Sequence, residues 1–252
     1  MNGPTVDALV TLSDAALQRR IDTSEGPRSI QFLLYSTLRR EHAAAAAVKW
    51  RTESAAALAQ AQSASRELEA VLAGRPDAFL DSLRDGEWTL RDLLRHVMAV
   101  ELRYAAQVEY SARRSDEDPV AIPEDRLPCD RLSPPEKGFG DSKIGDIRGL
   151  LDLVALARER SDRRLADLPD DVLGRPSRWG QIEIDVRERL HQMGVHIVEA
   201  TIQVEKMLSA AGERQGEARA TTRRILRARG LHERATPRLQ LAQLDTVIDS
   251  LS

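Results

Sequence analysis

With 252 residues, 42% of them apolar, the chain is long enough to bury a substantial core and too apolar to be disordered throughout. A formal net charge of −3 gives no electrostatic case for nucleic acid or an anionic membrane surface. The single cysteine, Cys129, excludes an intrachain disulfide, and no run approaches the ~20 apolar residues of a membrane helix. Aromatics and glycine are scarce while Ala, Leu, Arg and Glu abound, a bias toward helices over strands. No basic segment followed by an apolar one opens the chain, so the expected compartment is the cytoplasm.

Val6, Leu9, Val10, Leu12 and Leu17 give one short helical pattern within residues 1–26, ended by Gly26-Pro27. Ile30, Leu33, Leu34 and Leu38 resume it, alanines continue it over 43–47, and no breaker occurs before Gly74. Residues 28–73 are therefore expected as one long helix or two abutting ones. A kink is expected near residues 51–54, where Thr52 and Ser54 can cap a new start. His42, in the polar cluster Arg39-Arg40-Glu41-His42, is expected at the surface.

After the turn Gly74-Arg75-Pro76, Thr89-Leu90-Arg91-Asp92 has the spacing of a capping box. It opens a helix with the apolar face Leu90, Leu93, Leu94, Val97, Val100, Tyr104 and Val108, and His96 lies on the same side. Residues 112–142, rich in Pro, Gly and acidic residues, read as a long crossover loop, mobile or functional. Cys129 within it reads as an incidental thiol, because no base lies near it in sequence.

Ile144, Ile147, Leu151 and Val154 mark a third bundle helix, running to about Leu168 and broken by Pro169, Gly174 and Pro176. The fourth has the clearest period in the chain: Val186, Leu190, Met193, Ile197, Ala200, Val204 and Met207. His196 falls within that stripe. A histidine facing a core loses water and needs a partner: a neighbouring side chain, a metal, or a reacting group for which it is the base. The basic segment 219–229, closed by Gly230, lacks the interleaved aromatics of an RNA surface and is expected as a solvated or subunit-facing helix. Thr236-Pro237 then opens a last amphipathic helix through Leu239, Leu241, Leu244, Val247, Ile248 and Leu251. The apolar faces of both terminal extensions make a homodimer the expected assembly.

Two segments, GEWTLRDLLRHVMAVELRY and RERLHQMGVHIVEATIQVEKML, together resemble the signature helices of the DinB-like superfamily. That superfamily includes thiol-dependent transferases and mycothiol-dependent maleylpyruvate isomerases. The first segment carries Trp88 with His96 eight residues on; the second carries His196, Gln203 and the pair Glu205-Lys206. The resemblance covers roughly residues 54–210. It implies an all-α fold: a DinB-like four-helix bundle over 51–212 with a long crossover loop, and helical extensions at 1–50 and 213–252.

The resemblance also implies a divalent metal, zinc or nickel, held by three histidines at one end of the bundle. Imidazole suits both metals, and three protein ligands leave a position for water or for the thiolate of a low-molecular-weight thiol. The sequence departs where the third histidine is due, one turn after His196: it has Ala200. His191 lies five residues before His196, about 140° round the helix, so the two are not expected to converge. Glu199 can approach the same bundle end, which gives the candidate ligand set His96, His196 and Glu199.

Two readings follow. The preferred one is a protein with an incomplete metal site that acts by binding or interaction, with no cofactor or only a weakly held zinc or nickel ion. The alternative is a metal-dependent, thiol-using transferase or isomerase in which Glu199 or water replaces the lost ligand. Its small-molecule substrate would enter between helix ends beneath the 112–142 loop. Nucleic-acid binding through the C-terminal arginines is a third, disfavoured class, and no membrane partner is expected.

Overall fold

The structure, a computed structural model, describes residues 3–82, 88–128 and 145–235. Cys129, the later part of the expected crossover loop and the helix expected over 239–251 lie outside the described residues. Eight helices and two small hairpins make up the described chain, in agreement with the all-α expectation. Contacts divide it into two compact units, each discontinuous in sequence. One comprises Met1–Lys49, Arg66–Arg75 and Thr201–Ser252; the other comprises Trp50–Ser65 and Pro76–Ala200.

The second unit is a bundle built from the first turns of α4 (Glu53–Leu72), from α5 (Leu90–Arg113) and α6 (Ile147–Leu165), and from the first turns of α7 (Val186–Ala210). Each helix begins where the local chemistry directs. The Thr52 hydroxyl accepts from the Ala55 amide at 3.2 Å, so the chain restarts as α4 after α3 (Ile30–Ala47) has ended. Thr89 accepts from the Asp92 amide at 3.1 Å and donates to the Asp92 carboxylate at 2.7 Å, the expected box at the start of α5. Asp146 caps α6, and Asp185 accepts from the Glu188 amide at the start of α7.

The bundle core joins Ala57, Leu58 and Ala61 of α4 to Ala105, Val108 and Ala112 of α5, Leu165 of α6, and Val186, Leu190 and Met193 of α7. The small residues permit close approach. A side chain at Gly194 would lie 3.3 Å from the Ala61 backbone, so α7 is pressed against α4 there. Arg158 of α6 is sealed from solvent and donates to Glu101 of α5 at 2.5 Å, to Asp162, and to the Leu58 carbonyl of α4 at 3.3 Å.

A hairpin that the helical pattern conceals precedes α7. Strands β3 (Pro176–Trp179) and β4 (Ile182–Asp185) pair antiparallel with Trp179 opposite Ile182, and Gly180 turns the chain at φ +57°. Ser177 and Ile184 face inward, and the Ser111 hydroxyl of α5 donates to that of Ser177 at 2.9 Å.

The first unit corrects two expectations. The single N-terminal helical pattern is two helices, α1 (Gly3–Val10) and α2 (Asp14–Gln18), followed by a second small hairpin of β1 (Arg20–Ile21) and β2 (Arg28–Ser29). Gly26, at φ +95°, lies between those strands and does not end a helix. The basic helix α8 (Glu217–Gly230) is neither solvated nor left for a subunit: Ala218 and Ile225 pack with Leu9, Leu17, Ile30, Leu33 and Leu34, and Leu226 with Val6, Val10, Ala70 and Ala73. Its buried Arg219 donates to the carbonyls of Ala70, Val71 and Ala73 at 3.0, 3.1 and 2.7 Å, closing the C-terminus of α4 where a cation is favoured. The apolar face of the N-terminal extension is thus covered within the chain.

Removing Arg158 takes the cation from the buried Glu101 carboxylate. Arg158→Met is expected to destabilise the protein by about 3–5 kcal/mol. Arg164→Met breaks the half-exposed pair with Glu109 and is expected to cost less than ~1 kcal/mol. Urea denaturation of the two variants checks the contrast.

Candidate functional site at a pair of facing imidazoles

Helix α5 presents His96 and Tyr104, and α7 presents Arg189 and His196. On α7 a spacing of seven residues returns to nearly the same face, so Arg189 and His196 share one side. The structure brings His96 and His196 together: their Nε2 atoms are 3.1 Å apart, with ring centroids at 4.9 Å. Trp88 meets His96 edge-on at 4.6 Å, and Tyr104 lies 5.9 Å from the His196 ring.

A 3.1 Å contact between two imidazole nitrogens requires one proton between them when no ion is present. His96 Nδ1 is buried without a partner. A bare lone pair there costs less than an unmet N–H, so the favoured tautomer has His96 donate from Nε2 to His196. Neither ring accepts a second proton readily. Burial holds His96 below its ordinary pKa. Burial, and then the charge His96 would carry, bring His196 down to about 4.

Beside the pair lies a cation that the apolar stripe does not reveal. Arg189 is fully buried, with its guanidinium 4.4 Å from the Tyr104 ring centroid and 5.2 Å from that of Trp179. Nη1 donates to Gln192 at 2.7 Å, the Tyr104 side chain adds a weaker hydrogen bond to the guanidinium, and no carboxylate pairs with Nε or Nη2 among the described residues. Burial lowers its pKa, opposed by Tyr104 and Glu188 and reinforced by Arg103.

The other candidates lie elsewhere. Glu199 is exposed on α7, and no group of three or more His, Cys, Asp or Glu residues that could hold a metal gathers among the described residues. His191 contacts Glu53 at 3.2 Å, and that carboxylate also pairs with Arg187. His42 is exposed. The fifth histidine, His232, which no pattern singles out, is buried against Glu41 at 2.5 Å in the first unit.

The donor set decides how well a metal fits. Two nitrogens ~2.05 Å from a common tetrahedral ion stand about 3.3 Å apart, close to the observed separation. Where the resemblance implies a third histidine, however, the chain has Ala200, a buried methyl. His96 Nδ1 also lacks the acceptor that normally orients a ligating imidazole. The residues present therefore do not fit a three-ligand centre.

Fold and site together define a class: helical bundles with imidazoles facing each other from two helices. The chain belongs to the DinB superfamily, whose sequence profile matches residues 5–199. That match begins before α4, so it takes in α1 to α3 as well as the stretch on which the resemblance rests. No curated protein and no solved structure matches the chain.

A histidine with a lowered folded-state pKa opposes folding as pH falls. The effect is absent well above the unfolded value of 6.5, grows below it, and is complete once pH passes the folded value of about 4. In chelator-containing buffer, NMR of the imidazoles should show His196 neutral at pH 6 and titrating near pH 4. The parent should lose more stability than His196→Gln between pH 6.5 and 4; equal losses would show that the ring is not desolvated.

Proposed function

We propose that this DinB-superfamily chain is a binding protein that works without a metal, its site centred on the His96–His196 pair. The observation that carries this reading is the 3.1 Å contact between the two Nε2 atoms, with the buried methyl of Ala200 where a third imidazole is due. Two neutral imidazoles joined in this way present hydrogen-bonding groups to a ligand, with Trp88 and Tyr104 as aromatic walls.

Elemental analysis of the protein as isolated should find well below one equivalent of zinc or nickel. Ala200→His should raise that content toward one equivalent. Stoichiometric metal in the parent, lost in His196→Ala, would overturn the reading.

The near-tetrahedral spacing of the two nitrogens supports one alternative: a divalent-metal-dependent transferase or isomerase using a low-molecular-weight thiol, with water completing the ligand set. The stoichiometric-metal outcome above selects it.

A homodimer belongs to the same proposal, on different grounds from those expected. Val195 and Val198 are exposed apolar residues on α7, at 52 and 43% exposure. A second copy can cover them by a two-fold contact of like faces. Sedimentation equilibrium should show a dimer that Val198→Asp converts to monomer; a monomeric parent sinks this part alone.

A further inference from the structure

Arg189 has five N–H donors, and its side chain is withdrawn from water. One nitrogen, Nη1, is used by Gln192. The two left over, Nε and Nη2, are adjacent on one edge of the guanidinium and buried; beyond the neutral Tyr104 side chain, no anion meets them among the described residues. This edge is the fork that receives both oxygens of a carboxylate. The chain uses it that way twice: Arg66 donates from Nε and Nη2 to the two oxygens of Glu233, each at 3.0 Å, and Arg91 does the same to Asp81 at 2.7 and 2.8 Å. On Arg189 no carboxylate meets the same edge among the described residues, and a buried guanidinium without an anion is costly.

The surroundings indicate what an occupant must look like. Tyr104 contacts both the guanidinium and the His196 ring, and so spans the distance from cation to imidazole pair. On the other side lies Trp179, 48% exposed, at the tip of the β3–β4 hairpin. A ligand entering from that side displaces the indole.

Resting on the binding reading of the imidazole pair, we propose that Arg189 anchors the carboxylate of a small organic acid. The acid lies along Tyr104 with its uncharged end toward His96 and His196, and Trp179 moves aside to admit it. A planar or aromatic body suits the ring-lined path. The guanidinium edge selects carboxylate over its neutral amide, because an amide cannot accept two hydrogen bonds on one edge with a compensating charge.

The test is a fluorescence titration of the full chain, in chelator, with benzoate and phenylacetate as probes and benzamide as the neutral control. The acids should give a saturable change in tryptophan emission that is absent with benzamide and lost in Trp179→Phe. Arg189→Lys keeps a charge but loses the fork, and should bind the acids at least tenfold more weakly. Arg189→Met should bind neither, yet melt no lower than the parent. No saturable response to either acid in the parent, in chelator or with added zinc, or equal affinity in Arg189→Lys, overturns the proposal. So does an Arg189→Met protein that melts far lower while the parent binds no acid, since the arginine is then only a clamp for the hairpin. Acid binding that appears only with added zinc overturns the metal-free reading and leaves the anchor standing; a metal-poor protein that binds no acid does the reverse.

Discussion

The guanidinium of Arg158 sets the register on which the bundle depends. It reaches Glu101 on α5, Asp162 on its own helix and the Leu58 carbonyl on α4, all out of water. A slip of α5 by one turn, about 5.4 Å, would part the buried Glu101 carboxylate from Arg158, at a cost that is a large fraction of the stability of a domain. Glu101 is five residues from His96. What fixes one therefore fixes the other. Helix α7 is referred to the same helix by shape instead of charge, since Gly194 admits the Ala61 backbone and His196 lies two residues on. Leu58 and Ala61 are neighbours on one face of α4. The two imidazoles thus come from helices that are each registered against one turn of a third, which is why their nitrogens can meet at 3.1 Å without any link between them in sequence.

Much of this was legible before any coordinates. The period of α5 and α7, the Thr89–Asp92 box and the restart at Thr52 are local signals, and they fixed which helices carry His96 and His196 and that both rings face inward. Three features were not legible, for separate reasons. The hairpins are too short for alternation to show: in RWGQIEI only Ile184 is an inward apolar residue, and Gly180 reads equally well as a helix boundary. The arginines of α8 look like a solvated face because charge patterning cannot say that Arg219 closes the C-terminus of another segment. Within Arg39-Arg40-Glu41-His42 the histidine is exposed as its neighbours suggest, while Glu41 is wholly buried on His232, a partner 191 residues away.

Arg189 escaped for a more instructive reason. A search for an apolar stripe counts hydrophobic residues and passes over a cation, even one seven residues from the histidine that the same stripe brought to notice. The angular reading that found His196 contains Arg189 as well. For Glu199 the limit is different: an angle of about 60° from His196 places it near the edge of the buried face, and only the packing of the neighbouring helices decides which side of that edge it falls on. In the structure it falls on the solvent side.

Two fully buried arginines therefore stand in one bundle, one with carboxylate partners and one with only neutral partners among the described residues. Arg158 is surrounded by carboxylates and a carbonyl, deep among α4, α5 and α6, and its burial serves the fold. Arg189 has the neutral partners Gln192 and Tyr104, two aromatic faces and an edge that no carboxylate meets among the described residues, and it lies beside half-buried rings under a half-exposed tryptophan. A sequence that gives one buried guanidinium two carboxylates has the means to give the other one; Gln192, which receives Nη1, would need only a carboxylate in place of its amide. Local rules are most often broken at functional sites. The unmet charge and the protonation-resistant imidazoles also complement each other. One end of the site is cationic and the other is neutral and hydrogen-bonding, a polarity that matches a molecule charged at one end only.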